Sequence, residues 1–116
     1  MLIDTHCHLD FPEFNQDRDA VIQRAKEQGI AYMINIGSSL EGSRQAVELA
    51  RLNDCIYATV GMHPHEADNY KQDIESQIKE LAKQDKVVAI GEIGLDYFKH
   101  YSKVWLQNEL QKVFRS

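Results

Sequence analysis

Apolar positions fall along the chain in two alternating spacings. Short runs rich in β-branched and aromatic residues open the sequence at Met1-Leu2-Ile3 and recur at Ile30–Ile36, Cys55–Val60 and Val87–Ile90. Each has the length and composition of a strand. Between and after these runs, apolar residues recur at helical spacing: Val21, Ile22 and Ala25; Ala46, Val47, Leu49 and Ala50; Ile74, Ile78, Leu81 and Ala82; and Leu106, Leu110, Val113 and Phe114. That spacing lays one apolar stripe on each of four helices. The junctions carry matching local chemistry. Phe11, Pro12 and Phe14 form a loop, Asn15 predicts the N-cap of a first helix over 16–28, and Gly29 follows as its C-terminal glycine. Gly37-Ser38-Ser39 breaks the second strand and caps a second helix, which Asn53-Asp54 ends. A third helix is predicted over 70–84 and a fourth from Ser102.

Strand–helix units at spacings of roughly 25 to 32 residues predict an α/β fold, a parallel sheet with helices packed outside it. Periodicity does not choose between a closed barrel and an open doubly wound sheet. A complete eight-unit barrel takes about 250 residues, so four units would be about half of one. At 116 residues the chain is long enough for one domain and too short for two. No linker, low-complexity tract or charge run interrupts it.

Composition narrows the function classes. A hydrophobic fraction of 43%, a charged fraction of 27% and a mean hydropathy of -0.47 are those of a soluble protein. The formal net charge of -5 provides no basic footprint for nucleic acid, so a phosphate ligand needs local positive charge. No run approaches the length of a membrane span, and no basic segment with an apolar run follows Met1, so the expected location is the cytoplasm. Cys7 and Cys55 lie in apolar strand-like segments, outside any Cys-x-x-Cys pair. Reduced, buried thiols are expected.

Candidate chemistry collects at one end of the strands. His6 and His8 stand two apart at the exit of the first strand, where an extended chain points both the same way and Cys7 the other way. Two neutral imidazoles so placed form a clamp for a divalent cation; the bland reading is two histidines on a turn. His63 and His65 follow the third strand, and Glu92 and Asp96 follow the fourth. The carboxyl edge of a parallel sheet is where loops converge on a site. A straight fourth strand puts Glu92 in one row with Val88 and Ile90, a carboxylate at the end of an apolar row, where a cation would relieve the cost of burying it. Glu92 also reads as an ordinary carboxylate at a turn, Asp96 as a cap, and His63 and His65 as solvated loop residues. His100 reads as surface, and Gly91 and Gly94 do not form a phosphate-binding fingerprint.

Three stretches, Ile3-Asp4-Thr5-His6-Cys7-His8-Leu9-Asp10, Gly61-Met62-His63-Pro64-His65 and Ala89-Ile90-Gly91-Glu92-Ile93-Gly94-Leu95-Asp96-Tyr97, together closely resemble the TatD family of metal-dependent deoxyribonucleases. The resemblance runs over nearly the whole chain. It implies a (β/α)8 TIM-barrel type fold with the first four units present, residues 1–116 forming the N-terminal half. It also implies hydrolysis of DNA phosphodiester bonds with two divalent metal ions (Mg, Mn or Zn). His6, His8 and Glu92 would be metal ligands, Glu92 bridging the two ions as the catalytic carboxylate. His63 would approach the substrate phosphate, and Asp96 would support the ligands from behind. Family members are about twice as long, and their later strands supply two more histidines and an aspartate. The expected partners are therefore DNA and either a missing C-terminal half or a second copy of the chain, with no membrane. Rival readings are hydrolysis of other ester or amide bonds, an iron oxygenase triad, and an inactive half-barrel that dimerises.

Overall fold

The structure is a computed structural model and describes residues 1–69, 73–97, 107–108 and 111–112. Its elements in order are β1 (Leu2–Cys7), α1 (Arg18–Glu27), β2 (Ile30–Ile36), α2 (Leu40–Leu52), β3 (Ile56–Val60), α3 (Ile74–Ala82) and β4 (Val87–Ile90). The strands form one sheet in the order β1-β2-β3-β4, and every adjacent pair is parallel. Each crossover therefore steps to the next strand in the same direction. Crossovers of one hand that never reverse direction place all their helices on one face, whereas a doubly wound sheet needs a reversal.

Packing agrees with that rule. Ile56, Ala58 and Val60 alternate along β3 and are all fully buried. Ile56 and Ala58 pack with Ile22 of α1 and Ala46 and Ala50 of α2, while Val60 packs with Ile74 and Ile78 of α3. Val47 and Val87 touch both groups, so the two clusters form one continuous layer. A fully buried side chain such as Ile56 contributes about 1.5–3 kcal/mol through removal from water. Edge-strand residues Leu2 and Ile3 and residues Tyr32, Val88 and Ile90 are exposed. The expected apolar row of Val88 and Ile90 is thus open to solvent, because no described helix covers it. Four parallel strands in sequential order, with the three described connecting helices on one face, are a sector of a (β/α)8 wall.

Two helix starts differ from the sequence expectation. A 3-10 turn over Pro12–Phe14 delays α1 to Arg18, and Asn15 does not cap it. The Asn15 side chain instead accepts from Arg18 Nη2 at 2.7 Å. A 3-10 turn spans Pro64–Asn69 and α3 begins at Ile74; positions 70–72 of the expected helix lie outside the described residues. Ser39 caps α2 as expected, its Oγ accepting from Gly42 N at 2.9 Å. Gln107, Asn108, Gln111 and Lys112 are helical; His100 and the stripe residues Leu106, Leu110, Val113 and Phe114 lie outside the described residues.

Close approach of backbone sets the upper end of the sheet. A Cβ on Gly37 would meet Ser43 and the Thr59 carbonyl at 2.6–2.7 Å, and one on Gly61 would lie 2.7 Å from Gly91 backbone atoms. The buried Ser43 hydroxyl fills this junction, donating to Gly61 O at 3.1 Å and accepting from Gly61 N at 3.0 Å. Strand ends β2, β3 and β4 are thereby drawn together where the candidate residues lie.

Candidate metal centre

His6 is carried by the end of β1, and its backbone N–H donates to Asp4 Oδ1 at 3.0 Å. His8 lies just beyond the strand in a loop held from two sides. Arg18 reaches back from α1 to the carbonyls of Leu9 (2.5 Å) and Phe11 (3.1 Å). From β2, Asn35 Oδ1 accepts the Leu9 N–H at 2.6 Å while Asn35 Nδ2 donates to Asp10 Oδ1 at 2.9 Å. Asn35 is completely buried, so both bonds form away from water. Sequence reading passed over this residue. Its signal was a lone amide within the apolar run Tyr32-Met33-Ile34-Asn35-Ile36, since a polar group buried in such a run must find partners.

The His8 ring is set by its other nitrogen. Nδ1 lies 3.1 Å from the Ile36 carbonyl, which can only accept, so Nδ1 carries the proton and the Nε2 lone pair faces the site. Donation of the second ring N–H to a carbonyl is how metal-binding histidines are usually oriented. Phe11 stacks on the same ring, centroids 4.5 Å apart and planes 17° apart. His6 and His8 meet edge to face at 5.0 Å, both on the side expected from strand alternation. Cys7 turns the other way, its Sγ 3.4 Å from Ile34 O. Burial, reinforced by the charge of Asp4, pushes its thiol up to about 12, which keeps it protonated.

Glu92 comes from the loop after β4 and completes the group. Its Oε1 is 3.1 Å from His6 Nε2 and 3.9 Å from His8 Nε2, while Oε2 is 3.6 Å from His63 Nε2. One ligand atom from each of His6, His8 and Glu92 lies within 4.8 Å of the others. Borderline imidazole nitrogens with one carboxylate suit zinc, manganese and similar divalent ions. The donor set and the Nε2 lone pair of His8 therefore fit a metal.

His63 is presented differently. Its backbone N–H donates to Ser38 O at 2.8 Å, and its Nδ1 accepts the backbone N–H of His65 at 3.1 Å. In the neutral ring the proton then sits on Nε2, making His63 a hydrogen-bond donor toward Glu92. Behind it, His65 Nε2 meets Asp96 Oδ2 at 2.5 Å, and the His63 and His65 rings lie 4.2 Å apart. The buried Gln107 amide grips the Asp96 backbone, accepting its N–H at 2.6 Å and donating to its carbonyl at 3.0 Å. His63, His65 and Asp96 make a second group with ligand atoms within 4.8 Å. The structure thus brings His6, His8, Glu92 and His63 together and sets Asp96 against His65, a partner that spacing did not reveal.

The family model for the TatD related DNases matches residues 3–116. The chain belongs to that family. Among curated relatives, the 3'-5' ssDNA/RNA exonuclease TatD of Enterobacter lignolyticus is 39% identical over 101 residues, covering 87% of this chain and 39% of that protein. An uncharacterized metal-dependent hydrolase, YabD of Bacillus subtilis, is 39% identical over 117 residues, covering all of this chain and 44% of that protein. The crystal structure of YJJV, a TatD homolog from Escherichia coli, superposes with a TM-score of 0.86 at 34% identity, covering 97% of this chain and 44% of YJJV. The chain thus spans about two-fifths of the length of these relatives. The match to YJJV supports the (β/α)8 type expected from the sequence.

Proposed function

We propose that this chain supplies one side of a divalent-metal hydrolase site that cuts phosphodiester bonds of DNA, working on single strands from the 3′ end. The convergence of His6 Nε2, His8 Nε2 and Glu92 Oε1 from three separate segments carries the reading. The name of the Enterobacter relative supports the single-strand and 3′-end assignment. His6, His8 and Glu92 would hold the metal. Glu92 turns its two oxygens to different histidines and would hold two divalent cations, Mg, Mn or Zn. Bound divalent cations supply Lewis-acid polarisation of a phosphoryl oxygen and a water acidified toward neutral pH. They also supply the local positive charge that a chain of net charge -5 lacks.

The remaining groups orient and donate. His63, with its proton on Nε2, offers a hydrogen bond to a phosphate oxygen beside Glu92. His65 fixes that tautomer through its backbone N–H, and Asp96, gripped by Gln107, supports His65 from behind. We place the protein in the cytoplasm; no described helix is long and apolar enough to cross a membrane. The edges of β1 and β4 pair with no further strand among the described residues, and with residues 1–116 acting as the N-terminal half of a barrel they would be closed by further strands or by a second copy.

Metal binding by calorimetry and release of nucleotides from a 3′-labelled single strand test the proposal. Glu92→Gln and His6→Ala should each weaken metal binding at least about 10-fold and reduce cleavage to background, in line with the effect of disturbing metal-site residues. Wild-type metal affinity and cleavage in both variants would refute it.

A further inference from the structure

We propose that Phe11 is a nucleobase platform: one face of its ring stacks on His8, and the other receives the base of the 3′-terminal nucleotide. This inference rests on the nucleic-acid reading of the site.

Phe11 is 39% exposed although it is a large apolar residue in a tightly held loop. Its backbone N–H donates to His8 O at 3.2 Å, and its carbonyl accepts from Phe14 N at 3.0 Å and Arg18 Nη2 at 3.1 Å. The ring is therefore placed before any ligand arrives, which removes most of the ordering cost of binding. A scattered exposed side chain needs no explanation. This one differs because it lies parallel to the very imidazole that turns Nε2 toward Glu92, with planes 17° apart. The His8 ring against which Phe11 stacks at 4.5 Å has its Nε2 3.9 Å from Glu92 Oε1, which places the platform beside the carboxylate where the phosphate would bind.

Electrostatics point the same way. Proteins that bind single strands combine a basic groove with aromatic rings on which bases stack. Here the net charge is -5, and Arg18, the cation stapled into this loop, directs Nε and Nη2 at the Leu9 and Phe11 carbonyls and the Asn15 side chain. Stacking would therefore add affinity beside that of the bound cations. Because every base has a π-face, the ligand class is any single-stranded 3′ end, with little base preference.

The test uses the metal-loaded protein and two short oligonucleotides with a phosphorothioate at the last linkage to prevent cleavage. One ends in 2-aminopurine and the other in an abasic sugar. Binding is read by fluorescence anisotropy, stacking by quenching of 2-aminopurine, and metal affinity by calorimetry. The wild type should quench 2-aminopurine, and Phe11→Leu should lose the quenching and bind the base-ended strand about 5- to 100-fold more weakly, the range for one stacked base. The abasic strand and the metal should bind Phe11→Leu within about two-fold of wild type, and Phe11→Trp should keep tight binding. Equal losses on both strands, no loss on either, or a matching loss of metal affinity would overturn the platform while leaving the hydrolase reading in place. A wild type that binds neither strand would overturn both.

Discussion

Asn35 offers the sharpest test of how this site is held. Asn35→Leu keeps a side chain branched at Cγ in β2 but removes the acceptor for the Leu9 N–H and the donor to Asp10 Oδ1. Leu9 and Asp10 are only 6% and 7% exposed, so water does not readily replace either bond. An orphaned buried N–H costs about 1–3 kcal/mol and a lost bond to a charged group about 1.5–3 kcal/mol. The expected destabilisation is therefore about 3–5 kcal/mol, a large share of the 5–15 kcal/mol of an ordinary domain. In urea, with a slope of about 1–3 kcal/mol/M, that moves the midpoint down by at least about 1 M with the slope unchanged. Because His8 precedes this turn directly, metal affinity should fall as well. Adding Asp10→Leu should recover part of the stability, since no charge is then left buried without a donor. A midpoint shift below about 0.3 M, or strict additivity of the two substitutions, would refute the brace.

Two further outcomes follow from the geometry. Gly61→Ala forces a methyl to within 2.7 Å of Gly91 backbone, just before Glu92, and should cost about 1–3 kcal/mol and weaken metal binding by calorimetry. Gly91→Ala, whose methyl meets nothing within 4 Å, should be milder on both counts. For Cys7, the folded thiol ionises near 12 against an ordinary value of 9.0. Below pH 9 both states are protonated and the stability is intact. Between pH 9 and 12 the unfolded thiol loses its proton while the folded one keeps it, so stability should fall as pH rises. Urea midpoints of the metal-free protein in chelator from pH 8 to 10.5 should show that decline, and Cys7→Ala should remove it. An identical slope in the variant would sink the assignment.

Much of the fold was legible from spacing because strands and helices impose different periods. β2, β3 and β4 fall on their apolar runs, and the α2 and α3 stripes face the sheet through Ala46, Ala50, Ile74 and Ile78. Helix starts were less legible. The predicted cap Asn15 became a partner of Arg18, because a cap residue works only where the chain actually enters the helix, and the turn at Pro12–Phe14 moved that entry. His6 and His8 were readable as one clamp because alternation in an extended chain is local, acting over two residues.

What the sequence by itself determined is the βα alternation, the pairing of His6 with His8, and the gathering of candidate groups at strand exits. Only the tertiary structure decided the rest. The order β1-β2-β3-β4, with the described connecting helices on one face, selects a barrel wall over a doubly wound sheet, because strand order depends on how crossovers turn in space and leaves no period in the chain. Tertiary packing also set Glu92 between His6, His8 and His63, Asn35 beneath the His8 loop, and Asp96 against His65. Each of those meetings joins residues about 25 to 90 positions apart, where no local rule relates one side chain to another.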